Sequence, residues 1–306
     1  MQISEIQAFV CLARLGHLTR AASELCISQP AMTRRINQLE RELGLPLFER
    51  LPRGVRLTAA GRSFLPFAQR TIGALHDGAA AARSVDRDDT GAVTLGIVGT
   101  LVSTKLPGSL KRFRNSYPEI HVILHTGRSE QISAMVRSGD VDLGLRYFGD
   151  GDTEIISTPV HDEPLCVVAS ADTRLVSVQA RRPQELANAP WVLFPAKPAT
   201  GAEPYARMVT EQLHRHGLSD VQSVLIDSLT AQKRLVEADF GLGLLPESSV
   251  LDELRLGTLV KLDVPELATA IPITILHRRM SYLSQAARRL LAEIVSEEFW
   301  TSSRRH

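Results

Sequence analysis

Residues 19–58, TRAASELCISQPAMTRRINQLERELGLPLFERLPRGVRLT, constrain this chain more than any other stretch. They predict a short helix, a tight turn, a second helix and a basic hairpin. Ser28 offers an N-cap, and Gln29 and Pro30 open the second helix. Met32, Ile36, Leu39 and Leu43 recur at steps of four, three and four, which makes one apolar stripe on an α-helix. At about 100° per residue, Pro30, Arg34, Asn37 and Arg41 fall on the opposite face, with Thr33 and Gln38 beside it. That face carries forked donors, amides and a hydroxyl, which suit base edges and phosphates.

Before it, Thr19–Leu25 places Ala21, Ala22 and Leu25 for close helix packing, and Ile27 fills the turn. Periodicity alone equally fits an ordinary helical hairpin with a solvated charged face. The next residues tip the balance. Leu47–Phe48–Glu49–Arg50 and Gly54–Val55–Arg56–Leu57–Thr58 read as two short strands around Pro52–Arg53, with arginines at the tip and flanks, as in a winged helix. A helix-turn-helix followed by a basic wing is a DNA-reading unit. Its expected contacts are Ser28, Gln29, Pro30, Thr33, Arg34 and Asn37 on the helix and Arg50 and Arg53 on the wing.

The words FVCLARLGHLTRAASELCISQPAMTRRINQLERELGLPLFER and RGVRLTAAG in residues 1–65 resemble the DNA-binding domain of the LysR-type transcriptional regulator family. The resemblance continues more weakly through GDVDLGL (139–145) and GLGLLP (241–246). It implies a winged helix-turn-helix, a long linker helix, and a C-terminal α/β half. That half has two Rossmann-like lobes joined by two crossovers, as in periplasmic solute-binding proteins.

Charge is distributed to match. Net charge is only +1, yet residues 1–70 hold ten Arg, no Lys and five acidic residues, a local balance of +5. A basic head on a mildly acidic body points the head at nucleic acid. Three cysteines, Cys11, Cys26 and Cys166, are too few and too scattered for a disulfide framework or zinc site, and each reads as a small buried hydrophobe. No signal peptide and no apolar run of about 18 residues is visible, so a cytoplasmic protein is expected.

Ser4 with Gln7 reads as a capping box for a first helix that Gly16 ends. Thr58 caps a long helix to about Ser84, in which Leu65, Ala68, Ile72, Leu75, Ala79 and Ala82 recur at heptad spacing. A two-stranded coiled coil is expected over an amphipathic helix lying on its own domain, because the flanks are polar. Asp86–Gly91 then forms a charged hinge.

Beyond it, β-α-β-α-β over Val93–Leu145 predicts a parallel sheet. A second unit follows, with strands at Leu165–Ala169, Trp191–Phe194, Val221–Ile226 and Gly241–Leu245 and helices at Gly201–His216 and Leu229–Asp239. A strand at Ile271–Leu276 and a helix at Ser281–Phe299 return to the first lobe. Expected domains are a DNA-binding domain at 1–58, a linker and hinge at 59–90 and a regulatory domain at 91–300. Within the last, lobe I is 91–161 with 268–300, and lobe II is 162–267.

No P-loop, HExxH or nucleophile elbow appears, and Gly241-x-Gly243 lacks the third glycine of a dinucleotide fingerprint. The expected function is therefore a regulator and not an enzyme, with no cofactor and no metal. A solute-binding or enzymatic α/β protein and a ligand-free architectural DNA binder are the competing readings. The first lacks an export signal and a catalytic constellation; the second has no use for a sensor half.

Hydroxyl-rich loops after the first two sensor strands, Gly99–Thr104 and Thr126–Ser129, place Thr100, Ser103 and Ser129 where helix N-termini attract a carboxylate, although each hydroxyl serves equally as a helix cap. The family resemblance favours Thr100 and Ser129 as effector contacts, with Phe194–Pro195–Ala196 and Thr200–Gly201 facing them from the other lobe. Arg146 suits either an anionic ligand or a nearby acid. The expected effector is a small organic acid. Other expected partners are double-stranded DNA, a second copy in a dimer or tetramer, and RNA polymerase, with no membrane.

Overall fold

The computed structural model describes residues 1–52, 54–83, 91–103, 105–195 and 203–301. The chain opens with α1 (Ile3–Leu15), α2 (Leu18–Glu24) and α3 (Gln29–Leu43). Glu5, not Gln7, reaches back to cap α1, accepting from the Gln2 N–H at 2.7 Å, so the helix starts two residues before the expected Glu5. Gly16 ends it in the left-handed conformation at φ +67°.

Ser28 caps α3 as expected: its hydroxyl accepts from the Ala31 N–H at 3.3 Å. Met32, Ile36 and Leu39 are buried, but Leu43 is 37% exposed and does not extend the stripe. Gly44 terminates the helix immediately after it. Cys26 is also exposed, contrary to expectation, because it occupies the positive-φ turn between α2 and α3 and leans outward.

The hairpin is β1 (Phe48–Leu51) against β2 (Gly54–Leu57), antiparallel, with Leu51 opposite Gly54. Gly54 is required there: its φ is +100°, and a Cβ would come within 2.4 Å of the Gly16 carbonyl. The hairpin is tied down by the neighbouring Val55 N–H, which donates to that carbonyl at 2.8 Å. Phe9 joins the layers, its ring 5.4 Å from Phe48 and 5.1 Å from Phe64.

α4 (Ala59–Arg83) begins where the Thr58 hydroxyl accepts from the Gly61 N–H at 3.0 Å. Its expected seam divides. Ala68 and Ile72 are buried in the core of their own DNA-binding half, and Leu65 packs on the same cluster. Only the later part, from Leu75 on, faces outward, along with Phe67 on another side of the helix. The heptad pattern therefore records burial in the chain's own DNA-binding half first, and the later positions Leu75, Ala79 and Ala82 are left exposed.

The regulatory half starts with β3 (Gly91–Val98), followed by a 3-10 turn at Gly99–Ser103, α5 (Leu106–Ser116), β4 (Ile120–Gly127), α6 (Ser129–Ser138) and β5 (Leu143–Tyr147). β3 pairs in parallel with both β4 and β5, as the β-α-β-α-β pattern requires. β5 starts two residues later than expected because Asp142 is engaged sideways. Its carboxylate accepts from the Thr94 N–H and hydroxyl, each at 2.7 Å.

The boundary between lobes is one long strand, β6 (Ile155–Ser170), where only Leu165–Ala169 was expected. The second lobe adds β7 (Trp191–Leu193), α7 (Pro204–Arg215), β8 (Ser223–Leu225), α8 (Leu229–Glu237) and β9 (Gly243–Pro246). It also contains α9 (Leu251–Leu256) and β10 (Leu259–Leu262), neither of them expected. β11 (Thr269–Arg278) returns antiparallel to β6 and β5. β6 thus pairs with β11 over its first part and with β9 and β10 over its last, so one hydrogen-bonded sheet runs through both lobes. The final helix is broken at Ser296 into α10 (Gln285–Val295) and α11 (Glu297–Thr301).

Candidate nucleic-acid interface and effector cleft

Helix periodicity sets the first site. Gln29, Pro30, Thr33, Arg34, Asn37 and Arg41 line one open groove along α3. Arg34 and Asn37 are exposed, and among the described residues no hydrogen bond or ion pair holds the Arg34 guanidinium. A donor left free on an open face is available to a base edge or phosphate. Ser28 uses its oxygen as the helix cap, which leaves its proton to donate.

A second groove lies between α3 and the hairpin. Gln29 and Thr33 border it on one side and Arg50, Leu51 and Gly54 on the other. His17, Leu18, Thr19 and Arg20, which the sequence reading missed, line it as well. Thr19 fixes the geometry, its hydroxyl donating to Gln29 Oε1 at 3.1 Å. Arg20 is exposed beside it, so the groove is bordered by Arg20 and Arg50. The signal was the Thr19–Arg20 pair at the head of α2, next in space to a capped second helix. Arg53 falls outside the described residues.

The second site is a cavity of about 530 Å³ at the carboxyl ends of β3 and β4. The first lobe contributes Thr100 and Ser103 from the turn after β3, and Thr126, Arg128 and Gln131 around the head of α6. The second lobe contributes Phe194, Pro195, Glu203 and Tyr205, with Asp227–Thr230 at the head of α8. Arg128 meets Asp227 across the cavity at 3.6 Å. Tyr205 stacks on Tyr147 at 5.7 Å and takes the Phe194 ring edge-on at 5.3 Å, which makes the apolar wall.

Of the expected contacts, Thr100, Ser103 and Pro195 line the cavity, and Thr200 lies outside the described residues. The Thr100 Oγ1 and Tyr147 Oη atoms are buried and close enough to interact with one another, and neither has another hydrogen-bond partner among the described residues. Burial pushes the Tyr147 phenol pKa well up, so the group stays protonated and a donor.

Ser129 does not line the cavity. It is 1% exposed, and its N–H and hydroxyl donate to the Glu203 carboxylate at 3.1 and 2.7 Å. Arg146 is likewise withdrawn from the cavity, and of its two expected partners, an anionic ligand or a nearby acid, it lies beside an acid, Asp150. It is buried, donates to Ser133 Oγ at 2.8 Å and to the Ser129 carbonyl at 3.4 Å, and lies 3.6 Å from Asp150. Burial lowers its pKa from the ordinary value, and Asp150 and Glu203 oppose that shift. Arg146 therefore braces the first turn of α6 from behind. Asp227 and Glu203 were not anticipated, since neither belongs to a spacing pattern.

Both halves of the chain match known families. Residues 3–62 match the family "Bacterial regulatory helix-turn-helix protein, lysR family", and residues 86–298 match "LysR substrate binding domain". The chain is 28% identical over 301 residues to a probable cat1 operon transcriptional activator of Acinetobacter lwoffii, covering 97% of each chain. It is 31% identical over 249 residues to the transcriptional regulator TfdS of Cupriavidus pinatubonensis, covering 81% of this chain and 83% of the relative. Among solved structures, a full-length OxyR variant from Pseudomonas aeruginosa superposes with a TM-score of 0.68 at 20% identity, covering 98% of this chain and 96% of the other. Full-length BenM superposes with a TM-score of 0.57 at 25% identity, covering 96% and 95%. CbnR complexed with its target DNA gives 0.56 at 23% identity, covering 96% and 98%.

Proposed function

The chain belongs to the LysR family of bacterial transcriptional regulators, with a helix-turn-helix DNA-binding domain and an effector-binding domain, and from that premise we propose how its residues divide the work. The DNA-reading unit is 1–58, the linker 59–90 and the regulatory domain 91–300. α3 lies in the major groove, where Arg34 reaches a base edge with Gln29, Pro30, Thr33, Asn37 and Ser28 around it. Arg50, Arg53 and the newly found Arg20 take phosphates. The observation that carries this reading is the continuous groove along the exposed face of α3, opposite the buried stripe of Met32, Ile36 and Leu39.

The effector is a small organic acid held in the inter-lobe cavity, with Thr100 Oγ1 as its first polar contact and Ser103 and Pro195 beside it. The chain acts as a regulator rather than an enzyme and works in the cytoplasm, where its DNA lies. No helix among the described residues is long and apolar enough to cross a membrane. Two recognition helices must be held about one DNA turn or a multiple apart to read a palindrome, so it acts as a dimer or tetramer through the outward face of α4. RNA polymerase is the partner of the DNA-bound assembly. A gel shift on the promoter region beside the protein's own gene, with and without a panel of organic acids, tests the reading. Retarded DNA whose mobility or affinity changes with one acid is expected; no retardation, or none altered by any acid, contradicts it.

A further inference from the structure

The cleft already holds a carboxylate of its own. α6 presents its free first-turn N–H groups and the positive end of its dipole at Ser129, a seat for an anion. Glu203 stands immediately before α7 on the opposite lobe and reaches across to that seat. The Ser129 N–H donates to its two oxygens at 3.1 and 3.4 Å, and Ser129 Oγ donates to Oε2 at 2.7 Å. Charge-assisted bonds of this kind are about twice as strong as neutral ones. Arg146 supports the same turn through the Ser129 carbonyl. The neighbouring Thr100 Oγ1, in the same cavity, is buried, and among the described residues only the Tyr147 hydroxyl is near enough to interact with it. The donors of Ser129 are therefore satisfied from within the protein.

We propose that Glu203 is the specificity-determining residue of the cleft: it occupies the anion seat at the head of α6, and an effector carboxylate takes the seat only by exchange with it. The inference rests on the reading of this cavity as the effector site. A tethered carboxylate competes at an effective concentration on the order of millimolar or above. A bare monocarboxylate has only the Ser129 contacts to offer and loses that competition. An acid that also engages Thr100 Oγ1 and the Tyr205 wall gains what exchange requires. Exchange also frees the lobe bearing Glu203 from α6, so ligand binding and lobe arrangement are one event.

The test uses the full chain and acetate as the probe. Glu203→Ala empties the seat and leaves the buried Ser129 donors unpaired. Thermal unfolding is followed in sodium acetate against sodium chloride of equal ionic strength. A ligand that binds only the folded state stabilises it by mass action. Acetate is expected to stabilise Glu203→Ala with a midpoint about tenfold or more below that of the wild type, and adding Ser129→Ala, which removes the hydroxyl and keeps the N–H, is expected to narrow the difference. Equal midpoints in Glu203→Ala and the wild type, or an effect that Ser129→Ala leaves undiminished, overturn the proposal. Should Glu203→Ala not fold, Glu203→Gln keeps the volume and weakens the acceptor, with the same expected and contrary results. The effector reading is separable. If acetate seats in Glu203→Ala but no organic acid alters operator binding, Glu203 keeps its role and the effector reading falls. If one acid alters operator binding with equal affinity in the wild type and Glu203→Ala, the effector reading stands and the exchange falls.

Discussion

Asp77 on the linker helix accepts a hydrogen bond from Arg278 at the end of β11, an ion pair that fastens the two halves of the chain together. The same guanidinium donates to the Val136 carbonyl at 2.7 Å, near the end of α6. His76 adds a contact to the Gly139 carbonyl at 3.0 Å, and Gly73 lets α4 approach so closely that a Cβ would sit 3.1 Å from the Arg137 carbonyl. α6 therefore touches α4 at its last turn and the inter-lobe cavity at its first. At 1.5 Å per residue it spans about 15 Å.

That relationship predicts where coupling is lost. Arg278→Ala leaves Asp77 and the Val136 carbonyl without a half-buried partner. Operator affinity without effector and effector affinity without DNA should both persist, while the change in operator affinity caused by effector collapses toward none. Typical coupling of about 1–3 kcal/mol is what should disappear. Fluorescence anisotropy on labelled operator, with and without effector, measures it; an undiminished ratio counts against α6 as the route.

The divided seam of α4 gives opposite outcomes for neighbouring residues. Ile72→Ala should cost about 2–5 kcal/mol of folding stability, because Ile72 belongs to the core of its own DNA-binding half. Leu75, 41% exposed, should do the reverse: Leu75→Glu should dissociate the assembly and leave thermal stability nearly unchanged. Sedimentation velocity at micromolar concentration distinguishes the two. An undissociated Leu75→Glu chain would show that the interface lies elsewhere.

Much of the DNA-binding half was legible because its determinants are local. A cap at Ser28, a stripe at helical spacing and the glycines that end α1 and α3 act within one or two turns. The seam of α4 misled for a physical reason: a heptad records that a face is buried, not against which chain, and Ala68 and Ile72 are buried at home. β6 was read short because its first part, IISTPVHDEP, lacks alternation, being paired with β11 on a half-exposed stretch. Glu203 carried no signal at all. It lies 74 residues from Ser129, and only the packing of two lobes brings them together.

Thr100→Val keeps the volume of the side chain and removes a buried hydroxyl of the cavity lining. If Thr100 Oγ1 meets the effector, affinity for a responsive acid should fall by about 0.5–1.5 kcal/mol, with apo operator binding intact. Calorimetric titration of the full chain gives the number. Equal affinity in both proteins places the acid outside this turn.

Glu163 predicts a pH dependence. Burial raises its pKa above the ordinary 4.5, opposed by hydrogen bonds from Ser248. The native state thus holds a proton that the unfolded chain has already lost. No penalty exists below the ordinary value, where both states are protonated; it accumulates as pH rises through the raised one. Glu163→Gln keeps an acceptor for the Ser248 N–H, which donates to Glu163 at 3.1 Å, and removes the charge. It should be more stable than the wild type at neutral pH, with the advantage vanishing below about pH 4. A wild type as stable as the variant at pH 7 contradicts the assignment.

The central claim is that α3 reads sequence through Arg34 while the hairpin holds the backbone through Arg50. Operator and random-sequence affinities of the wild type, Arg34→Ala and Arg50→Ala, measured across a salt series, test it most directly. Arg34→Ala should lose about 1–3 kcal/mol on the operator, much less on random DNA, with its footprint blurred. Arg50→Ala should weaken both alike and flatten the salt dependence by roughly one unit of slope. An Arg34→Ala chain with the wild-type footprint and operator affinity would contradict the account.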